Sequence, residues 1–346
     1  MFYQCPKCKK VWQYPIKKCS DCFSDLKKIE SKKIKVIGVS KATISSITHP
    51  KTPYFALVLE DENKNRWVYK SKKEYKIGDE FKIEKTKNKN AVSIWRIKYD
   101  DFSAIRKAIE LINNLNINEN SKILILPTLI KPKHSYFSEN TRPEFLEALL
   151  LYLFEKEVKP ENIKVVSQSF DETPIEVSAL KSGLLGICQK YKVLALDFSK
   201  TNFKRKEYNN FSFEISEEIF NADLIINLPI LKIGQTSSFK NILKILKKEN
   251  YLGLKYLYSE NDMIKNLFKT IPSYLTIADG WQIQKPDKFT TFFGIILASF
   301  NSLNLERVFY EIVMAKDLPE ILKEIKIENI EIAGRDILEV QHTYEQ

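Results

Sequence analysis

The chain has 346 residues, 44% of them hydrophobic, and a formal net charge of +11. That length gives material for two or three domains with buried cores, and no stretch approaches the roughly 18 to 20 apolar residues of a membrane span. The charge is uneven: residues 1–100 carry 24 basic against 11 acidic side chains, and the rest carry 31 against 33. An anionic partner drawn by that excess would meet the first hundred residues.

Nine glycines, no two of them spaced as GxG, exclude a Rossmann or Walker phosphate loop, both of which need glycine for close backbone approach. With only His49, His134 and His342 there is no HExxH, and no GxSxG elbow is present.

In chain order, Cys5, Cys8, Cys19 and Cys22 come first, as CxxC-x10-CxxC. Each CxxC turn presents two thiolates, and two turns complete a tetrahedron with no open position. Zinc is the expected occupant of a closed, structural ribbon over residues 1–30, and iron could use the same four donors. No iron–sulfur cluster is expected, and Cys188 reads as a small buried hydrophobe. Trp12 and Tyr14 lie between the knuckles. The early position of Cys5 leaves no room for a cleavable leader, and the cysteine usage suits a reducing cytoplasm.

Residues 31–99 alternate as short strands: Lys35–Ile47, Tyr54–Leu59, Arg66–Lys70, Glu80–Lys85 and Ala91–Ile97. Five strands in so short a stretch predict a small OB-like β-barrel. Tyr54, Phe55, Trp67, Tyr69 and Trp95, interleaved with Lys and Arg, would either stack on bases or fill the barrel.

From Asp101 the pattern changes. Strands are expected at Lys122–Ile130, Ile163–Ser167, Val193–Phe198, Asp223–Leu231, Leu275–Ala278 and Thr291–Phe300. Helical periodicity fills Phe102–Leu115, Pro143–Val158, Ile175–Lys190, Phe239–Lys248 and Leu303–Met314. Residues 100–346 therefore read as an α/β domain with a largely parallel sheet, so the whole is a multi-domain chain of ribbon, barrel and α/β unit. In such sheets ligands sit beyond the carboxyl ends of strands. Lys232 ends one strand, Ser237 and Ser238 open a helix whose start favours an anion, and Lys240 and Asn241 follow. These side chains could converge on a carboxylate or phosphate, with Asp279 as a base or metal ligand at the end of another strand. Alternatively, Ser237 only caps its helix and the lysines are solvated.

The paired knuckles, Pro53–Glu60 and the turn at Ile77–Phe81 make residues 1–100 similar to the ribbon-plus-barrel module of the acyl-CoA-associated family, domain of unknown function number 35. That resemblance implies a scaffold or CoA channel serving a partner enzyme. Lys122–Pro127 (KILILP), Thr141–Pro143, Ala222–Lys232 (ADLIINLPILK), Ser237–Asn241 (SSFKN) and Leu275–Gly280 (LTIADG) resemble domain of unknown function number 362 over about residues 120–340, as do Leu297–Ser299 and Ile332–Gly334. The resemblance adds Thr141 to the ligand-binding set and implies a redox-associated role. Here Leu126-Pro127-Thr128 stands for that family's Lys-Pro-Asn, and Lys232-Ile233-Gly234 for its Lys-Thr-His. Its iron–sulfur segment is expected to be missing.

Three functions follow as expectations. The first is a metal-braced protein whose α/β domain binds a small anionic ligand, CoA-linked in one form, with enzymatic activity open. The second is a non-catalytic scaffold that docks a partner enzyme through residues 1–100. The third, less favoured, is nucleic-acid binding by the basic module, which would weaken steeply with salt.

Overall fold

The computed structural model describes residues 2–12, 18–29, 31, 33–46, 52–71, 73–81, 88, 90–112, 115–171, 173–234, 236–285, 290–315 and 317–345. The chain divides into two compact units, Met1–Glu84 and Lys85–Gln346. Among the described residues, no helix is long and apolar enough to cross a membrane.

The first unit opens with β1 (Phe2–Gln4), β2 (Val11–Trp12) and β3 (Lys27–Ile29), an antiparallel sheet in the order β2-β1-β3. A meander of β4 (Ile34–Ala42), β5 (Tyr54–Asp61) and β6 (Arg66–Ser71) follows. Strand β5 buries every second residue, the period of a sheet covered on one face. Its Phe55, Leu57 and Leu59 form a small core with Val36 and Phe81. Trp67 and Tyr69 pack against that core, and Phe2 meets Trp67 edge-on at 5.4 Å. A bridge between Lys35 and Glu80 adds a further segment. The strand expected over Glu80–Lys85 falls mostly outside the described residues, as does Tyr14.

The expected closing strand of the barrel is corrected. Residues 91–97 do form a strand, β7 (Val92–Arg96), but it pairs with strands of the large sheet. Ala91, Val92, Ser93 and Ile94 are buried in succession. Such a run marks a strand covered on both faces, whereas a small barrel would show alternation.

The second unit continues with α1 (Asp101–Ile112), β8 (Ile123–Pro127), α2 (Pro143–Glu155) and β9 (Ile163–Ser167). Next come α3 (Ile175–Lys181), α4 (Leu184–Tyr191), β10 (Leu194–Asp197) and a hairpin of β11 (Phe203–Tyr208) and β12 (Phe211–Ser216). Then follow α5 (Glu218–Asn221), β13 (Leu224–Leu228), β14 (Ile230–Lys232), α6 (Ser237–Ile242), α7 (Lys248–Leu257) and α8 (Glu260–Leu267). The unit closes with β15 (Leu275–Gln284), β16 (Thr290–Ser299), α9 (Ser302–Ile312), α10 (Glu320–Lys323), β17 (Ile332–Gly334) and α11 (Ile337–Glu345).

The sheet runs β10-β9-β8-β13-β15-β16-β7-β17, with β14 beside β15. Strands β10 through β15 are mutually parallel, and β16 is antiparallel to both its neighbours. Both faces are covered. Leu124, Leu126, Val166 and Ile225 enter one core, and Ile123, Ile125, Val165 and Ile226 enter the other. From β8 the chain winds outward to β9 and β10, then returns to β13 on the other side of β8. The order therefore reverses between β8 and β13, where open α/β sheets form their ligand crevice.

Two expected helices are broken. Ile175–Lys190 splits at Gly183, which takes φ +85° and lies so close to α2 that a Cβ would come within 2.9 Å of Pro143. Phe239–Lys248 ends early. After α6 one 3-10 turn covers Leu243–Ile245, and Gln168 Nε2 then takes the carbonyls of Lys244 and Leu246.

Candidate functional site

The two CxxC turns adopt one backbone form. Cys5 N–H donates to Lys10 O and its carbonyl accepts Lys9 N–H; Cys19 repeats this with Ser24 and Phe23. Lys9 and Phe23 both take positive φ, +61° and +55°, which curls each turn so its two sulfurs face the same way. All four sulfurs lie within 4.8 Å of one another, at 3.3 Å for Cys5–Cys22, 3.6 Å for Cys8–Cys19 and 4.0 Å for Cys8–Cys22. Four sulfurs about 2.3 Å from one ion have edges of roughly 3.8 Å, so the donor set fits a tetrahedral metal. The expected ligands are brought together, and the cluster could bind a metal ion.

The other predicted residues gather around the β8–β13 crevice but play different parts. Thr141 Oγ1 donates to Leu228 O and accepts Thr128 N–H, both at 2.8 Å, so it ties β8 to β13. Asn241 Nδ2 donates to Leu126 O and Asn227 Oδ1, both at 2.7 Å. Ser238 gives its N–H and Oγ–H to Glu306 Oε1, at 2.7 and 2.8 Å. The acceptor at the start of α6 is thus the chain's own Glu306 carboxyl group. The cap position falls on Thr236, one residue before Ser237, and its side chain makes no cap hydrogen bond. Lys240 is exposed, 3.9 Å from Glu260, beside a polar recess of about 230 Å³ lined in part by Gly234 and Thr236.

Asp279 holds Arg142. Arg142 Nε and Nη2 donate to its two oxygens at 2.7 and 3.1 Å, and Nη1 and Nη2 donate to Asp101 at 3.1 and 2.8 Å. Trp281 N–H also reaches Asp279 Oδ1, at 2.9 Å, across an irregularity in β15 between Gly280 and Gln282. Burial opposes the Arg142 charge, but Asp279 and Asp101 outweigh it and push its pKa up. Burial raises Asp101, with Arg142 working against the rise.

Lys232 is different. It is only 5% exposed, and among the described residues its ammonium makes no ion pair within 4 Å. Burial lowers its pKa; Glu139 opposes this, while Lys133, Lys131 and Lys240 add to it. Ser237 Oγ is buried without a hydrogen-bond partner.

Sequence reasoning missed Lys244. It lies in Ile242–Leu246 (ILKIL), and a lysine inside an apolar run was the available signal. Its Nζ donates to Leu129 O. Burial pulls it down to about 8, with Asp171 opposing and Lys232 assisting. At the adjoining ends of β8 and β9, Thr128 Oγ1, Ser167 Oγ and Gln168 Oε1 are buried and unpartnered. Arg142, Asp101 and Glu306 were also missed, because partners so distant in sequence leave no local pattern.

Another recess, of about 470 Å³, is bordered by Phe154, Lys159, Lys190, Tyr191 and Lys192. It lies at the amino ends of β9 and β10 and holds none of the residues above. Ligands in this architecture collect at the other end.

No curated protein matches the chain in sequence. The family model described as Domain of unknown function (DUF362) matches residues 123–311, from β8 through α9, and so takes in the crevice and Lys232. That match spans more than half of the chain, and the chain belongs to the DUF362 family.

Proposed function

We propose that the α/β unit binds a small anionic ligand, a phosphate or carboxylate, at the carboxyl ends of β8, β9 and β13. The observation that carries this reading is Lys232, a buried ammonium without a counter-ion among the described residues. Burying an unpaired charge costs several kcal/mol in general, and a bound anion removes that cost. Lys244, half-buried and bonded to the Leu129 carbonyl, adds a second ammonium, and Thr128, Ser167 and Ser237 offer buried hydroxyls with no partner among the described residues. In this reading Thr141, Ser238 and Asn241 frame the crevice, and Asp279 acts through Arg142 and not on the ligand. The cysteine cluster serves as a structural brace holding zinc, with iron the alternative.

The test is thermal stabilisation by pyrophosphate at low ionic strength. Wild type should gain several degrees and Lys232→Met should gain none. Equal gains in both would sink the reading.

A second reading, docking to a partner enzyme, is favoured by one observation. The first unit exposes Phe23, Ile44, Val68 and Ile77, apolar side chains that a partner's surface could cover. Serine at all four positions should release a protein that co-purifies with wild type, and a partner retained by that variant removes this reading.

A further inference from the structure

The crevice carries a second feature, on the segment that crosses from β8 to α2. Tyr136 is 65% exposed and Phe137 53%. Large rings left in water next to a candidate site call for an explanation. The segment that bears them is tightly built. Asn140, fully buried, accepts Ile130 N–H and donates to the carbonyls of Lys131 and Lys133, all at 2.8 Å. One side chain therefore fixes three backbone groups at the root. At the tip, Ser135–Phe137 form a 3-10 turn in which His134 Nδ1 accepts Tyr136 N–H at 3.2 Å. The two rings meet edge to face, with centroids 6.0 Å apart at 82°. They stand on a braced platform, which lowers the ordering cost of stacking a ligand there.

The same segment carries cations at two depths. Lys131 is exposed, and Lys133 lies 2.8 Å from Glu139, which it neutralises. Both lysines and Glu139 act electrostatically on buried Lys232, so the segment lies within electrostatic reach of that ammonium. An aromatic face joined to one outer and one inner cation matches a ligand with a flat ring at one end and two anionic groups in series at the other.

We propose that the ligand of this crevice is a nucleoside diphosphate or a cofactor built on one, its base stacked on Tyr136 or Phe137 and its phosphates on Lys131 and Lys232. The inference rests on the anion-binding reading above. Without a glycine-rich loop the phosphates are held by ammonium groups, not by a backbone cradle. Base stacking on aromatic side chains strengthens binding by roughly tenfold per base.

The test compares ADP with pyrophosphate by calorimetry at low salt, on the full chain. ADP should bind roughly tenfold more tightly than pyrophosphate. Replacing both rings (Tyr136→Ser with Phe137→Ser) should bring ADP down to the pyrophosphate level and leave pyrophosphate unchanged. Both ring positions are exposed, so folding is not at stake. Lys232→Met, checked for an intact melting transition, should lose both ligands. If pyrophosphate binds but ADP binds no tighter, or the ring variant keeps full ADP affinity, the nucleotide inference is overturned and the anion site stands. If neither ligand binds wild type, or Lys232→Met binds both unchanged, the anion reading itself fails.

Discussion

The two units solve the problem of stability in opposite ways. Among the described residues of the first unit, a small core cluster of Val36, Phe55, Leu57, Leu59 and Phe81 accompanies four close thiols. Residues 85–346 bury two apolar cores, one on each face of a long sheet. Charge is divided just as unevenly, but in the sense opposite to the proposed anion site. The first hundred residues hold the whole basic excess, whereas Lys232, buried and without an ion-pair partner among the described residues, belongs to the charge-balanced part. Net charge counts what water already solvates. A site is marked by a charge that water does not reach.

Removing the metal should break this comparison most visibly. If the cysteines hold the proposed structural ion, a segment with so small a core would draw its folding free energy from metal binding, on the order of 10 kcal/mol in isolated ribbons. Chelation, or Cys8→Ser with Cys19→Ser, should abolish the near-ultraviolet signal of the first unit and leave a cooperative melt for the second. A single transition that shifts as a whole would show that the α/β unit also leans on the cluster.

Within the α/β unit, Arg142→Met should have the next largest effect. It leaves Asp101 and Asp279 buried without their shared partner, at a cost of about 3–5 kcal/mol. Adding Asp279→Asn should recover part of that loss in denaturant titrations. No recovery would mean that Arg142 matters for packing and not for charge.

A smaller, pH-dependent effect belongs to Glu306. Burial pushes it up to about 7 from an ordinary value of 4.5, against the pull of the two Ser238 donors. A folded pKa above the unfolded one means that the carboxyl's contribution is complete below about pH 4.5 and is lost as pH climbs through 7. Glu306→Gln lacks this slope and should gain roughly 3 kcal/mol on wild type between pH 4.5 and 8.5. Urea midpoints that run parallel across that range would contradict the assignment.

Local pattern made much of this legible. The CxxC spacing needs no tertiary context, because a turn of four residues aims its own sulfurs. Apolar runs such as Ile123–Leu126 read as strands buried on both faces, and they are. The fate of Val92–Arg96 was not legible as part of a barrel. Strand identity is local, whereas the choice of neighbour depends on which hydrogen-bonding edge lies free. The hairpin β11–β12 passed unseen although Asn209 and Asn210 lie at its turn and Phe211–Ser216 alternates. In the crevice, Lys232 was found by its position at a strand end. Ser238 and Asn241 were found as polar groups, but their partners Glu306 and Leu126 lie 68 and 115 residues away.

The sequence by itself determined the four-thiol cluster, the α/β class of the larger unit and the place along the chain where its crevice opens. All three rest on local pattern, read either within one turn or from the alternation of successive elements. Only the tertiary structure decided which polar groups are already taken. It turned Asp279 toward Arg142 and Ser238 toward Glu306, and it left Lys232 buried with no ion-pair partner among the described residues. Whether a charge is satisfied depends on burial and on residues from distant strands, and neither is written in the residues beside it.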